Sequence, residues 1–202
     1  MRGRFHRRAD MQTRFVKARR RNMVDARPGV HQCILILDGL KPDFNIGKIF
    51  RSADAFGMRE IHLIGVEYFD PEPAKGSVRW VPLVFHDDFA SCYQEIAALG
   101  YIFMLLEPGG ETMLHDVRLP TQTAFILGHE EFGVSFNRED FSGIIPVSIP
   151  QWGHVQSLNV SVAGSLVMYE YIRQHGKPLS AGLPQPAAGS SEYEIQGAVI
   201  DE

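Results

Sequence analysis

At 202 residues, with 45% hydrophobic and 22% charged side chains, the chain can form one globular domain with tails, and a core of that size needs no disulfide or metal to stand. Its two cysteines, Cys33 and Cys92, are too few for a disulfide framework or a cysteine metal cluster, so a reducing cytoplasm and no metal are expected, and no apolar run approaches the roughly 18 residues of a membrane span. The net charge of −4 speaks against a polyanion partner, but only as an average over an uneven chain.

Residues 1–29 read as a basic N-terminal arm. The first thirty residues hold ten Arg and Lys against two Asp, a net +8 that leaves −12 for the remainder. A basic segment ahead of an acidic body suits contact with nucleic-acid phosphates, and equally suits a solvated tail. No apolar run follows the basic residues, so the segment is not a secretory signal. Met11, Phe15 and Val16 allow a short helix over about 8–22, and Pro28-Gly29 ends it.

Residues 30–176 alternate apolar strands with helices. Strands are expected over 32–38, 60–66, 81–85, 101–106, 122–127 and 143–149. Helices are expected over 45–56, 87–99 and 158–174, the first from Ile46, Ile49, Phe50, Ala53 and Phe56 at three-and-four spacing. Strands apolar throughout belong in a sheet covered on both faces, so the expected fold is α/β, with a mainly parallel sheet flanked by helices. In the last helix Val160, Val162, Ala163, Leu166, Val167, Met168 and Tyr169 circle most of the surface. One face should pack on the sheet and another on a partner subunit. Residues 177–202, with Pro178, Pro184 and Pro186 among Ala, Gly and Ser, read as a disordered tail.

Three polar, glycine-containing loops interrupt this pattern at strand ends, where ligands of open α/β sheets bind. The first, after the first strand, carries Asn45 and Arg51. Alone, Asn45 reads as a helix cap, as Asp43 also can, and Arg51 reads as a surface ion-pair partner. The second, around 125–135, carries Gly128 and Glu130. It is not the G-x-G-x-x-G pattern of dinucleotide sites. The third, over 149–163, leads through a proline and a glycine to Ser157 and Asn159 at a helix start, where free backbone N–H groups can bind ligand. Ser157 alone is adequately explained as an N-cap.

Taken together, N-I-G-x-I-x-R-x-A-D-A-F-G (45–57), L-G-x-E-x-x-G-V-S (127–135) and I-P-x-x-G-x-V-x-S-L-N-V-S-V-A (149–163) resemble the three motifs of the SpoU/TrmH group of the SPOUT superfamily, in the right order. The resemblance covers about residues 30–175. It implies a deep trefoil knot at the C-terminal end of the sheet, which pattern reasoning would not propose. It implies a homodimer that uses S-adenosylmethionine to methylate RNA on the ribose 2′-oxygen. By motif position, Leu106, Gly128, Ile149, Ser157 and Leu158 would line the cofactor pocket. Arg51, Asn45, Glu130, Ser157 and Asn159 would form the polar catalytic set, with the arginine facing the cofactor of the other subunit.

The chemistry of methyl transfer fits such a set. A ribose hydroxyl is a poor nucleophile until its proton begins to leave, so a group must take the proton or stabilise the alkoxide. Arginine is the base proposed for the family, but a guanidinium hardly deprotonates in proteins. Arg51 is better read as a cationic clamp, with Asn45 and Asn159 orienting it and the ribose. His129 and His154 are lesser candidates for a proton shuttle. The sequence departs from the family at His129, before the motif-two Glu130, and at Gln151-Trp152. Only the short basic arm precedes the catalytic motifs, which favours tRNA over rRNA as substrate. An inactive RNA-binding protein on the same scaffold is the other alternative, although Arg51, Ser157 and Asn159 are all retained.

Overall fold

The computed structural model describes residues 2–110 and 112–176; the expected tail over 177–202 lies outside the described residues. Six parallel strands form one sheet: β1 Cys33–Asp38, β2 Glu60–Ile64, β3 Leu83–His86, β4 Ile102–Leu106, β5 Thr123–Leu127 and β6 Ile144–Val147. Their order is β3-β2-β1-β5-β4-β6. Every residue of β1 and β5 is buried, as the two central strands require. Alternate side chains of β1 serve opposite faces: Cys33, Leu35 and Leu37 join one apolar cluster, Ile34 and Ile36 the other.

Four helices cover the sheet: α1 Arg2–Asp25, α2 Phe44–Ala55, α3 Phe89–Ala98 and α4 Val160–His175. The face holding Leu35 and Leu37 packs against Ile49 and Phe50 of α2, Val167 and Met168 of α4, and Phe15 of α1. The other face packs Phe89, Cys92 and Ile96 of α3. The chain builds β1, β2 and β3 outward in one direction and then crosses to the other half. The reversal of strand order beside β1 is the topological switch point where open α/β sheets bind ligands. Among the described residues, no helix is long and apolar enough to cross a membrane.

The basic segment is more ordered than expected. Its helix spans Arg2–Asp25 rather than 8–22, and it docks on the body instead of standing off as an arm. Phe15 is only 4% exposed and meets the rings of Phe69 and Phe85 edge-on, at 5.1 and 6.1 Å between centroids. The buried Asn22 amide donates to the carbonyls of Val78 and Val81 at 2.6 and 2.7 Å. Arg14 reaches Asp70 and Glu72, and Arg79 reaches back to Asp25. Phe15 and Asn22 are two buried, well-partnered positions on a helix rich in exposed arginine, and composition does not weigh such positions.

The C-terminal elements differ from expectation for a similar reason. β6 stops at Val147, short of 149, because Ser148 turns its polar groups to the 107–122 segment. Its hydroxyl donates to the Glu107 carbonyl at 2.6 Å and accepts from the Gly110 N–H at 2.6 Å, while its backbone pairs with Thr112 and Leu114. α4 grips the same segment: the Tyr171 hydroxyl donates to the Thr121 carbonyl, and Gln174 bonds the backbone of Val117 and Leu119. This clasped region is where the family resemblance places the knot. α4 begins at Val160, not 158, because Asn159 is its cap. Within one chain α4 is not buried all round: Val162, Leu166 and Tyr169, at i, i+4 and i+7, are exposed along one side.

Candidate active site

The loops after β4, β5 and β6 and the start of α4 converge around a cavity of about 540 Å³, within the usual range for a small-molecule site. Leu106, Gly128, Ile149, Ser157 and Leu158, which the motif resemblance assigns to a cofactor, all border it. So does Glu130. Asn45 and Asn159 stand beside the cavity, bonded to that glutamate directly and through each other. Arg51 is exposed on α2 and is not part of the wall formed by its own chain.

The polar groups form a directed chain. The Ser161 N–H donates to Asn159 Oδ1 at 2.9 Å, the Asn159 amide donates to Asn45 Oδ1 at 3.1 Å, and the Asn45 amide donates to Glu130 Oε1 at 2.6 Å. A backbone N–H can only donate, and an ionised carboxylate can only accept. Those two ends fix the orientation of both amides between them. The chain joins α2, α4 and the loop after β5 through bonds at Asn45 that span 85 and 114 residues of sequence. Asn45 is free for this role because Asp43 caps α2 in its place, accepting from the Asn45 N–H. Ser157 is likewise not the cap of α4 and stays exposed on the cavity wall.

The loop after β5 is held in shape from three sides. Gly128 and Gly133 are so close that a Cβ on Gly128 would lie 2.5 Å from the Gly133 carbonyl carbon. His129 and Gly133 exchange both backbone hydrogen bonds, at 2.7 and 2.9 Å. The His129 ring accepts from the N–H of Glu131 at 3.0 Å through Nδ1, so that nitrogen is occupied in holding the turn. The buried Asp38, at the end of β1, takes both the N–H and the hydroxyl of Ser135, at 2.6 and 2.9 Å. Burial raises the Asp38 pKa above its ordinary value, and the two Ser135 bonds oppose that rise.

The wall has two chemical characters. Leu106, Leu127, Val134, Ile149 and Leu158 are apolar, whereas Glu107, Glu130 and Glu131 are acidic, and no Lys or Arg is among the described lining residues. Glu131 is compensated by Lys41 at 3.2 Å. Glu130 Oε2 and Gln151 Oε1 are buried acceptors with no hydrogen-bond partner. Unpaired acceptors in a site cost free energy unless a ligand supplies donors. A ligand with an apolar body, several N–H donors and positive charge suits this cavity. In the loops beside the cavity Trp152 and Phe132 are 90% and 82% exposed. Sequence reasoning singled out neither Glu107 nor the Asp38 brace. Glu107 directly follows an apolar strand, a signal available beforehand; Asp38 is recognisable only through its Ser135 contact.

A parallel α/β protein with a preformed, acid-lined cradle at its strand ends is the class that fold and site define. Residues 32–169 match the model of the SpoU rRNA methylase family, and the chain belongs to that family. It is 31% identical over 159 residues, 76% of this chain and 61% of the relative, to a 23S rRNA (guanosine-2'-O-)-methyltransferase RlmB of Nitrosomonas europaea. It is 32% identical over 70% of its length to a putative TrmH family tRNA/rRNA methyltransferase of Staphylococcus haemolyticus, covering 58% of that protein. The chain thus spans about three fifths of the length of these curated relatives. Among solved structures it resembles the A. aeolicus TrmH/SpoU tRNA modifying enzyme, with TM-score 0.65, 25% identity, and 82% of this chain and 84% of that one covered. The SpoU methyltransferase AviRb from Streptomyces viridochromogenes, crystallised with AdoMet, gives TM-score 0.64 and 26% identity over 73% of this chain and 58% of that one.

Proposed function

We propose that the chain is an S-adenosylmethionine-dependent RNA 2′-O-ribose methyltransferase acting in the cytoplasm, with tRNA favoured over rRNA. The observation that carries this reading is the Asn45–Glu130–Asn159 network, built from three sequence-distant motifs beside one cavity bordered by all five expected cofactor contacts. The cavity fits the donor: its apolar body suits the leucine and isoleucine walls, and its sulfonium and amino group suit an acidic lining with two unpaired acceptors. When bound, the cofactor supplies an activated methyl group on a positively charged sulfur.

The chain's own residues supply positioning and charge. Backbone groups flanking Gly128, Ile149 and Leu158 hold the donor, and the apolar walls exclude water. Glu130, held by Asn45 through Oε1, keeps Oε2 free to accept from a hydroxyl or amine. Ser157 is exposed on the wall, placed to orient the ribose. Positioning of this kind can supply about 7–11 kcal/mol of a barrier. Arg51 acts as a fixed cation on the phosphate and the developing oxyanion, because its guanidinium keeps its proton. It serves the cavity of a second protomer, which accounts for its exposure within one chain. The exposed stripe of Val162, Leu166 and Tyr169 supports the same homodimer. Lys17, Arg20 and Arg21, exposed on the outer face of α1, would neutralise RNA phosphates, and Trp152 and Phe132 would stack on bases. The knot forms where the 107–122 segment is clasped.

Calorimetry with S-adenosylhomocysteine should show one site per chain. Labelled methyl transfer to unmodified tRNA and rRNA, followed by nucleoside mass spectrometry, should then give a 2′-O-methylated nucleotide from tRNA. No cofactor binding would reject the reading. Binding without turnover on either RNA would replace it with an inactive RNA-binding protein, and turnover on rRNA alone would reverse the substrate preference.

A further inference from the structure

A second polar cluster lies at the other edge of the sheet, and the proposed reaction makes no use of it. His62 is buried in the middle of β2, His86 ends β3, and Cys92 is buried one turn into α3. The register pairs His86 with Ile64, so His86 and His62 stand two residues apart on the same face of the sheet. Their rings stack 5.0 Å apart at 11°, with His62 Nδ1 only 2.7 Å from His86 Nε2. One donor atom from each of His62, His86 and Cys92 lies within 4.8 Å of the other two.

Behind His62 stands Glu60, whose carboxylate is 3.4 Å from Nε2. That distance is long for a strong hydrogen bond, and Nε2 has no closer partner. The carboxylate still favours the tautomer with its proton on Nε2, which leaves the Nδ1 lone pair facing His86 and Cys92. A carboxylate behind a histidine, with the other nitrogen facing inward, is the usual arrangement around a protein-bound metal. The charged side chains that bear on His86 and Cys92 are Asp38, Asp87, Asp88 and Glu95, all acidic.

We propose that His62 Nδ1, His86 Nε2 and Cys92 Sγ form a binding site for one zinc-class divalent cation, with the fourth position open to water beside the half-exposed His86. Two imidazoles and a thiolate select zinc-like ions over magnesium or calcium. Zn–N bonds of about 2.0–2.1 Å place two tetrahedral ligands roughly 3.4 Å apart. The two rings must therefore part by about 0.7 Å, which a rotation of His86 at the strand end supplies. Binding displaces the thiol proton of Cys92 to solvent and changes no oxidation state. Without metal the thiol is inert, since burial pushes its pKa up to about 12. The bound ion would pin the edge strand β3 and α3 to β2.

The test uses the full chain, stripped with a chelator and titrated with Co2+ and then Zn2+. One Co2+ per chain should bind with a thiolate-to-cobalt charge-transfer band, and Zn2+ should displace it. Cys92→Ser should abolish the band, and Glu60→Gln should weaken binding about 10–100-fold, as loss of such a carboxylate does elsewhere. Circular dichroism checks that each variant folds, and the wild-type band stands on its own if one does not. Absence of saturable binding at one equivalent, or a band that survives in a folded Cys92→Ser chain, would overturn the proposal. An unchanged affinity in Glu60→Gln would remove the orienting role of that carboxylate.

Discussion

The two polar clusters of this sheet are built in opposite ways. The Asn45–Glu130–Asn159 network stands at strand ends, partly open to solvent, on loops that interrupt an apolar pattern. The His62–His86–Cys92 cluster is set within and just beyond two strands, where its members look like ordinary core-facing residues. The first is preformed with acceptors left over; in the second the two imidazoles already meet each other, His62 Nδ1 lying 2.7 Å from His86 Nε2. A ligand of the first can enter and leave, whereas a ligand of the second would stay as part of the fold. A site built for turnover needs exposed, replaceable contacts, whereas an ion that ties strand to helix needs buried protein ligands, even with one position left open to water.

Substitutions at the strand ends test the first half of this contrast. Arg51→Ala should lower methyl transfer by about 100–1,000-fold, the usual loss for a group stabilising developing charge, while S-adenosylhomocysteine affinity changes little. Single-turnover rates with calorimetry on the same preparation decide it, and near-normal turnover removes Arg51 from the catalytic set. Gly128→Ala should cut S-adenosylhomocysteine affinity by at least about 10-fold, because the new methyl group meets Gly133 backbone, which has little room to move. A calorimetric affinity equal to wild type would show the loop to be soft rather than preformed. Asn159→Ala should have the smallest effect on stability, about 1 kcal/mol for the lost helix cap, read from denaturant midpoints. The same variant should also slow turnover, since Asn45 and Glu130 lose their anchor to α4. A stability loss with unchanged turnover would mean that the network is only a brace.

Much of this was legible in the chain. Apolar runs marked all six strands, most clearly β1 and β5, where every position is buried and none is spare for a solvated side chain. The three motifs were visible as glycines and short polar residues at strand ends, and each of Leu106, Gly128, Ile149, Ser157 and Leu158 borders the cavity. Element edges were less legible. Asp43, one of the two cap formers the sequence offers, caps α2, and Asn159 rather than Ser157 caps α4, because the choice among neighbouring cap formers depends on contacts made elsewhere. The docking of α1 rested on Phe15 and Asn22, two residues in a segment whose bulk composition reads as a free arm.

The sequence alone determined the α/β class, the approximate positions of the strands and the polar, glycine-containing loops at their ends, since periodicity and glycine placement are local properties of the chain. Tertiary structure decided which polar groups meet. The partner of Asn45 lies 85 residues away, that of Asp38 lies 97 away, and His62 finds His86 only through the register of β2 with the edge strand β3. Hydrogen bonds and metal-ligand distances act over about 3 Å, and no local pattern encodes which distant residues the folded sheet will bring that close.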